Sequence, residues 1–468
     1  MANADIGLNP RWRQRIAEIG KTQFVREEML RLGFLHTADE AQRQQIKAFL
    51  DASYPRLRDL RRELETLRQE IASIDDIDSL LQEIRRERIA RVRQAREARQ
   101  VRQAAEQAQR RLDLKAEQRR TPRFLGQGVS TRLLFSGGDA TLLAARALPP
   151  LATVEDLAAL MQVTPEHLLW LCYERAATSV DHYTRFEIPK KSGGKRLIAA
   201  PKPKLRAAQE WILTHLLNGL TPAAPAMAFR PGRSILDNAR PHLQAAIVVR
   251  QDLKDFFPSI TFPRVRGYFE HLGYNPGIAT VLGLICTDAP RVKVSLDGTI
   301  QYVALGERAL PQGACTSPAL ANLLASPLDR RLSGFCAAVP EAWTYTRYAD
   351  DLTFSTNTPQ ADVGRLLAAV ERLVTAEGFQ LNDKKTAVMR APNRQVVTGL
   401  LVGDRLRLSR RDLRRIRAFC HQCDQTGLDT VSQVQGRDAL AVARGLLAYV
   451  AMVMPDHAAR LRARYPWL

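Results

Sequence analysis

The chain has 468 residues, a formal net charge of +20 and 45% apolar residues, a composition that predicts folded domains and excludes an intrinsically disordered chain. The sequence holds no apolar run of the roughly 18 residues that a membrane-spanning helix needs and no basic-then-apolar leader, so we expect a cytoplasmic protein without membrane contact. The excess of positive charge favours a polyanionic partner, most often nucleic acid, over a basic surface that serves solubility alone.

The first 120 residues predict a charged helical extension. Apolar residues recur there at alternating spacings of three and four, which is the heptad pattern of a coiled coil, at Leu57, Leu60, Leu64, Leu67, Ile71 and Ile74. This seam can pair with another chain or fold back as a helical hairpin. Residues 81–120 hold thirteen Lys and Arg against six Asp and Glu. The one-sided excess favours an arm laid along nucleic-acid phosphates over a solvated helix of mixed charge.

The remaining chain predicts an α+β fold in several segments. Proline and glycine interrupt residues 121–150, which predicts a linker. Residues 151–246 begin with short helices, β-rich and helical stretches alternate from about residue 180 to 400, and residues 401–468 are mostly helical. In this last segment Cys420 and Cys423 form a C-x-x-C pair with no second pair nearby. We interpret them as ordinary helix positions rather than zinc ligands.

A basic hairpin is predicted at residues 188–196, I-P-K-K-S-G-G-K-R. Two glycines supply the turn, and four cations surround it, which suits a triphosphate group. The main candidate is Arg196, followed by Lys190 and Lys191. Taken alone, the segment fits an exposed basic hairpin equally well.

Acidic residues follow two predicted strands. The segment 247–260, I-V-V-R-Q-D-L-K-D-F-F-P-S-I, places Asp252 at the end of an apolar strand and before an aromatic-rich turn. In W-T-Y-T-R-Y-A-D-D-L-T-F-S, β-branched and aromatic residues flank Asp350 and Asp351, which predicts a β-hairpin with both acids at its turn. Adjacent carboxylates repel each other and suggest a bound cation, and oxygen-only ligands suit Mg²⁺. Three carboxylates on neighbouring strands can hold the two metal ions of a phosphoryl-transfer site.

These motifs, with L-P-Q-G-A-C-T-S-P at 310–318 between them, resemble the reverse transcriptases in order and spacing from about residue 150 onward. The resemblance implies a right-hand polymerase, with fingers at 151–246, a palm with an antiparallel sheet at 247–400 and a helical thumb at 401–468. It implies that Asp252, Asp350 and Asp351 are catalytic ligands of two Mg²⁺ ions. Cys315 departs from the family, which often has proline there, and makes that loop less rigid.

The resemblance also implies a nucleotide site. Phe257 would be the steric gate that stacks under the incoming dNTP sugar, and Asp255 would lie in the triphosphate-binding turn. Gln312 and Gly313 would line the pocket over the templating base pair. The segment G-F-Q-L-N-D-K-K-T at 378–386 resembles the palm motif that supplies a lysine, here Lys385, as a general acid near the leaving pyrophosphate.

Two shorter motifs resemble those of retron reverse transcriptases, and the long charged extension is similar to that of the myxobacterial type. N-A-R-P-H matches the retron N-A-x-x-H signature, and V-T-G matches the retron triplet after the palm; the matching residues are Asn238, Ala239, His242, Val397, Thr398 and Gly399. For His242, packing against the palm is favoured over catalysis.

The retron resemblance implies a bacterial enzyme that binds its own structured noncoding RNA, of the msr-msd type. It would start DNA synthesis from the 2′-hydroxyl of a guanosine and make branched RNA–DNA, msDNA, in antiphage defence with a separate effector protein. The thumb would grip an RNA stem through a basic run, Arg405, Arg407, Arg410, Arg411, Arg414, Arg415 and Arg417. The alternatives are a group II intron-like, diversity-generating or abortive-infection reverse transcriptase, or an RNA-binding scaffold with a degenerate polymerase fold.

Overall fold

A computed structural model of the chain describes residues 10–34, 40–72, 77–120, 124–133, 137–189, 193–296 and 298–468. The chain divides into two units, Met1–Gln109 and Arg110–Leu468. No helix among the described residues is long and apolar enough to cross a membrane.

The first unit is helical over its described residues. Its helices are α1 (Pro10–Ile19), α2 (Lys21–Arg31), α3 (Glu40–Ile71) and the greater part of α4 (Ile77–Arg120). Helices α1 and α2 pack through Trp12 and Phe24, whose ring centroids lie 5.6 Å apart. Four leucines of the predicted seam are 41–57% exposed, namely Leu57, Leu60, Leu64 and Leu67. They are therefore not buried in a helical hairpin of α3 with α4. Ile74 of the same seam lies outside the described residues.

The second unit contains mixed α and β structure. Its strands are β1 (Ala177–Thr178), β2 (Tyr183–Pro189), β3 (Lys195–Pro201), β4 (Ile247–Asp252), β5 (Arg291–Leu296), β6 (Thr299–Ala304), β7 (Thr344–Tyr348), β8 (Asp351–Thr356), β9 (Ala387–Arg390), β10 (Val396–Val397), β11 (Leu400–Val402) and β12 (Leu406–Arg407).

Its helices before the catalytic motifs are α5 (Ala140–Ala145), α6 (Val154–Leu160), α7 (Pro165–Cys172), α8 (Pro203–Ile212), α9 (Ile235–Ala239), α10 (Phe262–Leu272) and α11 (Pro276–Cys286). The later helices are α12 (Ser317–Leu324), α13 (Ser326–Ala338), α14 (Val363–Ala376), α15 (Arg410–Thr426), α16 (Leu428–Gln435), α17 (Ala439–Val453) and α18 (Pro455–Arg464). Short helical turns occur at Leu213–Leu217, Arg240–His242 and Asp383–Lys385.

A four-stranded antiparallel sheet with the order β7-β8-β4-β9 forms the palm. Its strand β4 is apolar on both faces, since Ile247, Val248 and Val249 are each at most 1% exposed. Ile247 and Val249 belong to the large core, whereas Val248 belongs to a second core shared with the thumb helices. Strand β4 is therefore covered on both faces.

The fingers hairpin pairs β2 with β3, and β1, β6 and β5 form a separate three-stranded sheet. Residues 121–150 differ from the expected linker in their described part. Leu125, Leu133 and Leu143 are at most 5% exposed and pack in the large core. The described part of this segment thus packs against the core, and the pattern of proline and glycine alone does not distinguish such a segment from a free linker.

Candidate active site

The predicted acidic hairpin forms at the edge of the palm sheet. Strands β7 and β8 pair antiparallel and end in a two-residue turn, because Tyr348 is the register partner of Asp351. Strand β4 lies on the other side of β8 and ends with Asp252 directly opposite Asp351. The amide of Leu253 donates to the carbonyl of Asp350 over 2.8 Å, which ties the turn to the end of β4. Asp252, Asp350 and Asp351 therefore lie together, and Asp252 and Asp351 share one face of the sheet.

The turn holds a strained residue that the surroundings stabilise. Ala349 has a φ of 57°, in the left-handed region that costs a residue with a Cβ roughly 1–2 kcal/mol. Arg347 donates to the Ala349 carbonyl over 3.1 Å and makes a two-pronged ion pair with Asp329, at 2.8 and 2.7 Å. Arg347 and Asp329 are both fully buried. A buried ion pair thus supports the turn from the face opposite Asp351.

The carboxylates repel one another electrostatically. Burial, followed by the charge of Asp252, raises the pKa of Asp350. Burial, followed by the charge of Asp350, raises the pKa of Asp351 to about 6. In both residues the pKa rises because burial and the neighbouring negative charge disfavour the charged carboxylate. A cation placed among these groups would relieve the repulsion.

Lys385 and Asn382 contact the first carboxylate. The ammonium of Lys385 donates to both oxygens of Asp252, at 2.8 and 2.7 Å. Asn382 donates its side-chain amide to Asp252 over 3.3 Å and its backbone amide to the Asp252 carbonyl over 2.8 Å. Hence the segment predicted to carry a lysine near the reacting phosphates packs directly against the end of β4.

The donor set fits Mg²⁺ in its chemistry, because it consists of clustered carboxylate oxygens that repel one another. Among the described residues, no three His, Cys, Asp or Glu side chains are already arranged around a single metal position. Both oxygens of Asp252 accept from the Lys385 ammonium instead. An ion held by Asp252 would share that carboxylate with the lysine or displace it.

The fingers hairpin and the P-Q-G loop contact each other. The amide of Ala199 on β3 donates to the carbonyl of Gln312 over 2.8 Å. Gly313 has a φ of 125°, and a Cβ there would lie 2.7 Å from the Ala199 carbonyl oxygen, so only glycine fits. Arg196 is exposed on β3, and its positive charge opposes part of the rise in the pKa of Asp350 that burial and Asp252 cause. Lys190 and Lys191 lie outside the described residues.

An aromatic group lies after β4. Phe256 is buried, whereas Phe257 is partly exposed, and its ring centroid lies 6.3 Å from that of Phe229. Asp255 has a φ of 46° and is exposed, and its carbonyl accepts from the amide of Ser259. The chain turns sharply here, which presents the Phe257 ring beside the end of the strand.

The residues of the two retron signatures lie together. Asn238, Ala239 and His242 are fully buried, and His242 contacts the hairpin of β7 and β8. Val397 is also fully buried, and Thr398 and Gly399 form the turn between β10 and β11 with positive φ values of 44° and 83°. The hydroxyl of Thr398 donates to the carbonyl of Ile235, at the start of α9, over 3.3 Å.

The predicted basic stripe is exposed at the start of the thumb. Helix α15 buries Leu413, Ile416 and Cys420 and turns its arginines outward. Cys423 is buried too, so the C-x-x-C cysteines are helix residues with reduced, free thiols. All seven arginines are exposed, namely Arg405, Arg407, Arg410, Arg411, Arg414, Arg415 and Arg417.

Sequence reasoning missed Arg347, Asp329 and Phe229. A charged residue inside an apolar strand is itself a signal, since such residues are rarely buried unless paired. Arg347 satisfies that description, but its partner is 18 residues away on α13 and could not be identified from spacing. Phe229 is 51% exposed with a φ of 57°, and no sequence pattern marks it.

The palm sheet, the fingers hairpin and the grouped carboxylates define a right-hand nucleic-acid polymerase. A family model described as reverse transcriptase (RNA-dependent DNA polymerase) matches residues 188–420. The retron Mx65 reverse transcriptase of Myxococcus xanthus is 43% identical over 326 residues, which cover 70% of this chain and 74% of that protein.

Two further relatives agree with this result. The retron Mx162 reverse transcriptase of Myxococcus xanthus is 42% identical over 59% of this chain and 60% of that protein. The retron Ec86 reverse transcriptase of Escherichia coli is 34% identical over 58% of this chain and 79% of that protein. The chain belongs to the retron reverse transcriptases and is an RNA-directed DNA polymerase. The predicted fold class and family are confirmed.

Proposed function

We propose that this polymerase binds its own structured noncoding RNA, of the msr-msd type, and extends the 2′-hydroxyl of an internal guanosine into DNA. The product would be branched msDNA, used in antiphage defence with a separate effector protein. The observation that carries the polymerase site is the register of β4 and β8, which sets Asp252 opposite Asp351 beside Asp350. The retron-specific part rests on the two signatures and on the relatives named above.

Asp252, Asp350 and Asp351 would hold two Mg²⁺ ions. When bound, such ions supply positive charge that activates an attacking hydroxyl and stabilises a leaving pyrophosphate. Because the three carboxylates come from adjacent strands with fixed register, the protein supplies their spacing before substrate binds.

The surrounding residues would bind the dNTP and move one proton. Arg196, with Lys190 and Lys191, would hold the triphosphate, and the backbone of the Asp255 turn would contact it. Gln312 and Gly313 would line the base pair, and Phe257 would exclude a 2′-hydroxyl. Lys385 would donate a proton to the leaving pyrophosphate, since its ammonium already lies against Asp252.

The RNA contact would lie on the thumb. The exposed arginines at the start of α15 present guanidinium groups on successive turns, which suits the phosphates of an A-form stem. The arginine-rich helix α4 would add a second contact to nucleic acid, independent of the site.

The test of the retron proposal uses the purified full-length protein with the nucleic acid that co-purifies. We expect RNA joined to DNA through a 2′–5′ linkage, detected as a product that a debranching enzyme resolves into two strands. Extension of an oligo(dT) primer on poly(rA) measures polymerase activity in the same sample. Primer extension without any branched product would contradict the proposed priming from a 2′-hydroxyl and the proposed msDNA product.

The metal assignment is tested by Asp350→Asn. We expect DNA synthesis to fall by on the order of a hundredfold or more, because the amide keeps the shape but loses the charge of a metal ligand. RNA binding should stay within about twofold, since the arginines and not the carboxylates would contact phosphates. Asp429→Asn, an exposed change on α16, is the control. Full activity of Asp350→Asn in Mg²⁺ would refute the assignment.

A further inference from the structure

His242 of the first retron signature has both ring nitrogens bonded to the catalytic hairpin. Its Nδ1 lies 2.7 Å from the hydroxyl of Ser355 on β8, and its Nε2 lies 2.7 Å from the hydroxyl of Thr346 on β7. All three side chains are at most 2% exposed. One imidazole therefore bridges β7 and β8, the two strands that the turn containing Asp350 connects.

The hydrogen bonds assign the ring protons. The Thr346 hydroxyl also lies 3.4 Å from the carbonyl of Asn238, to which it donates. It therefore accepts from His242, so Nε2 carries the proton and Nδ1 accepts from the Ser355 hydroxyl. This neutral form agrees with burial, which lowers the pKa of His242 to about 4.

His242 lies on the same face of the sheet as two of the acids. Thr346 pairs with Thr353, and Ser355 pairs with Val248, in the registers that also pair Asp351 with Asp252. Residues two apart along a strand share a face. The bridge therefore acts on the face of Asp252 and Asp351, whereas the ion pair of Arg347 supports the opposite face.

The second signature completes the packing on the thumb side. Thr398 donates to the carbonyl of Ile235 in the segment that carries Asn238 and His242. Ala239 and Val397 pack in one core with Leu413 and Ile416 of α15. The two signatures are thus one packed unit between the catalytic hairpin and the base of the thumb.

We propose that His242 is a positioning residue, which fixes strands β7 and β8 behind the Asp350-Asp351 turn, and that the two signatures join this hairpin to the thumb. The inference rests on the proposed role of Asp350 and Asp351 as metal ligands. Because a buried imidazole with two opposed bonds cannot shift without breaking one, it holds the strands in register and the acids at fixed spacing.

The experiment compares variants of the three residues that form the bridge. His242→Leu removes both bonds at similar volume, whereas Thr346→Val and Ser355→Ala each remove one. His242→Gln keeps one donor and one acceptor and is the conservative variant. Thr280→Val is the control, because Thr280 is a fully buried threonine on α11 whose hydroxyl bonds the Pro276 carbonyl over 2.7 Å.

Two readouts separate positioning from simple stabilisation, both taken on full-length protein well below its melting temperature. We expect kcat on poly(rA)·oligo(dT) to fall by on the order of tenfold to a hundredfold in His242→Leu, with KM for dTTP within about twofold. Binding of Mn²⁺ alone, measured by electron paramagnetic resonance, should weaken at least severalfold in the same variant. His242→Gln should recover most of both, and Thr280→Val should change neither.

The bridge also predicts non-additivity. Thr346→Val should lower kcat in the wild-type background but have little further effect in His242→Leu, because its partner is already gone. If His242→Leu does not fold, Thr346→Val and Ser355→Ala alone decide the question. Unchanged kcat and Mn²⁺ binding in folded bridge variants would overturn the inference, while Asp350→Asn separately tests the metal role on which it rests.

Discussion

The buried imidazole of His242 couples the stability of the palm to pH. Burial lowers its pKa from 6.5 to about 4, so between these values the unfolded chain binds a proton that the folded chain does not. Stability therefore falls as pH decreases through this window. Between pH 7 and pH 5 the loss from this residue should be about 2 kcal/mol, at 1.36 kcal/mol per pKa unit.

The check is a comparison of thermal unfolding for wild type and His242→Leu from pH 7 to pH 5. The stability advantage of the wild type should shrink as pH falls, because leucine cannot take up the proton in either state. A constant difference across this range would contradict a buried neutral imidazole.

The buried pair of Arg347 and Asp329 predicts an asymmetric response to mutation. Arg347→Met should destabilise the protein by about 3–5 kcal/mol, because it leaves Asp329 buried without its counter-ion, although the Tyr345 hydroxyl still donates to it. The double variant Arg347→Met with Asp329→Leu should regain a large part of that stability. Chemical denaturation measures both. Equal stability of the single and the double variant would show that the pair is not desolvated.

A residue could be identified from the sequence when its pattern lies within a short segment of the chain. Asp252, Asp350 and Asp351 each lie at one end of a short strand pattern, so their association could be predicted, whereas their role as metal ligands stays a prediction. The bond from Ala199 to Gln312 and the pairing of Arg347 with Asp329 depend on how distant segments pack. The closeness of His242 to Ser355, 113 residues later, is likewise a property of the sheet and not of any motif.

Among the elements, the hairpin of β7 and β8 and strand β4 could be predicted because alternating or continuous apolar residues mark them directly. The three-stranded sheet of β1, β6 and β5 could not, since β1 has two residues and pairs with a strand more than a hundred positions away. The heptad pattern of α3 predicted a helix, but the same pattern fits a hairpin and an intermolecular pair. Its exposed leucines exclude burial against α4.

Helix α15 carries a prediction of its own. Arg410, Arg414 and Arg417 lie on one face of this helix and are exposed. Changing all three to Gln should weaken RNA binding and reduce the salt slope of log Kd by roughly 0.7–0.9 for each phosphate that the variant no longer neutralises. The slope is measured by filter binding at several salt concentrations.

The matched control removes the same charge from other exposed positions, Arg330, Arg365 and Arg372, on α13 and α14. This variant should keep the wild-type slope. An equal decrease in both variants would mean that net charge, and not the α15 stripe, drives RNA binding.

At the scale of the whole molecule, α4 and α15 are two separate arginine-rich segments. Residues 81–120 account for seven of the twenty excess positive charges, thirteen basic minus six acidic residues. Long-range attraction to a polyanion depends on such totals and is screened by salt, whereas the bridge of His242 is buried and is not. A higher salt concentration should therefore weaken the contribution of the extension to RNA binding and leave the geometry of the active site unchanged.

Removal of residues 1–120 should weaken RNA binding and flatten its salt dependence, because the arginines of α4 would no longer neutralise phosphates. Primer extension at saturating poly(rA)·oligo(dT) should stay within about twofold, since the hydrogen bonds of the carboxylates join residues between 252 and 385. Two full-length variants assign the cause. Changing Arg96, Arg99 and Arg102 to Gln should reproduce part of the lower slope, and changing Leu57, Leu60 and Leu64 to Ser should leave it unchanged. If the leucine variant lowers the slope and the arginine variant leaves it unchanged, the extension is a protein-binding coiled coil and not a nucleic-acid arm.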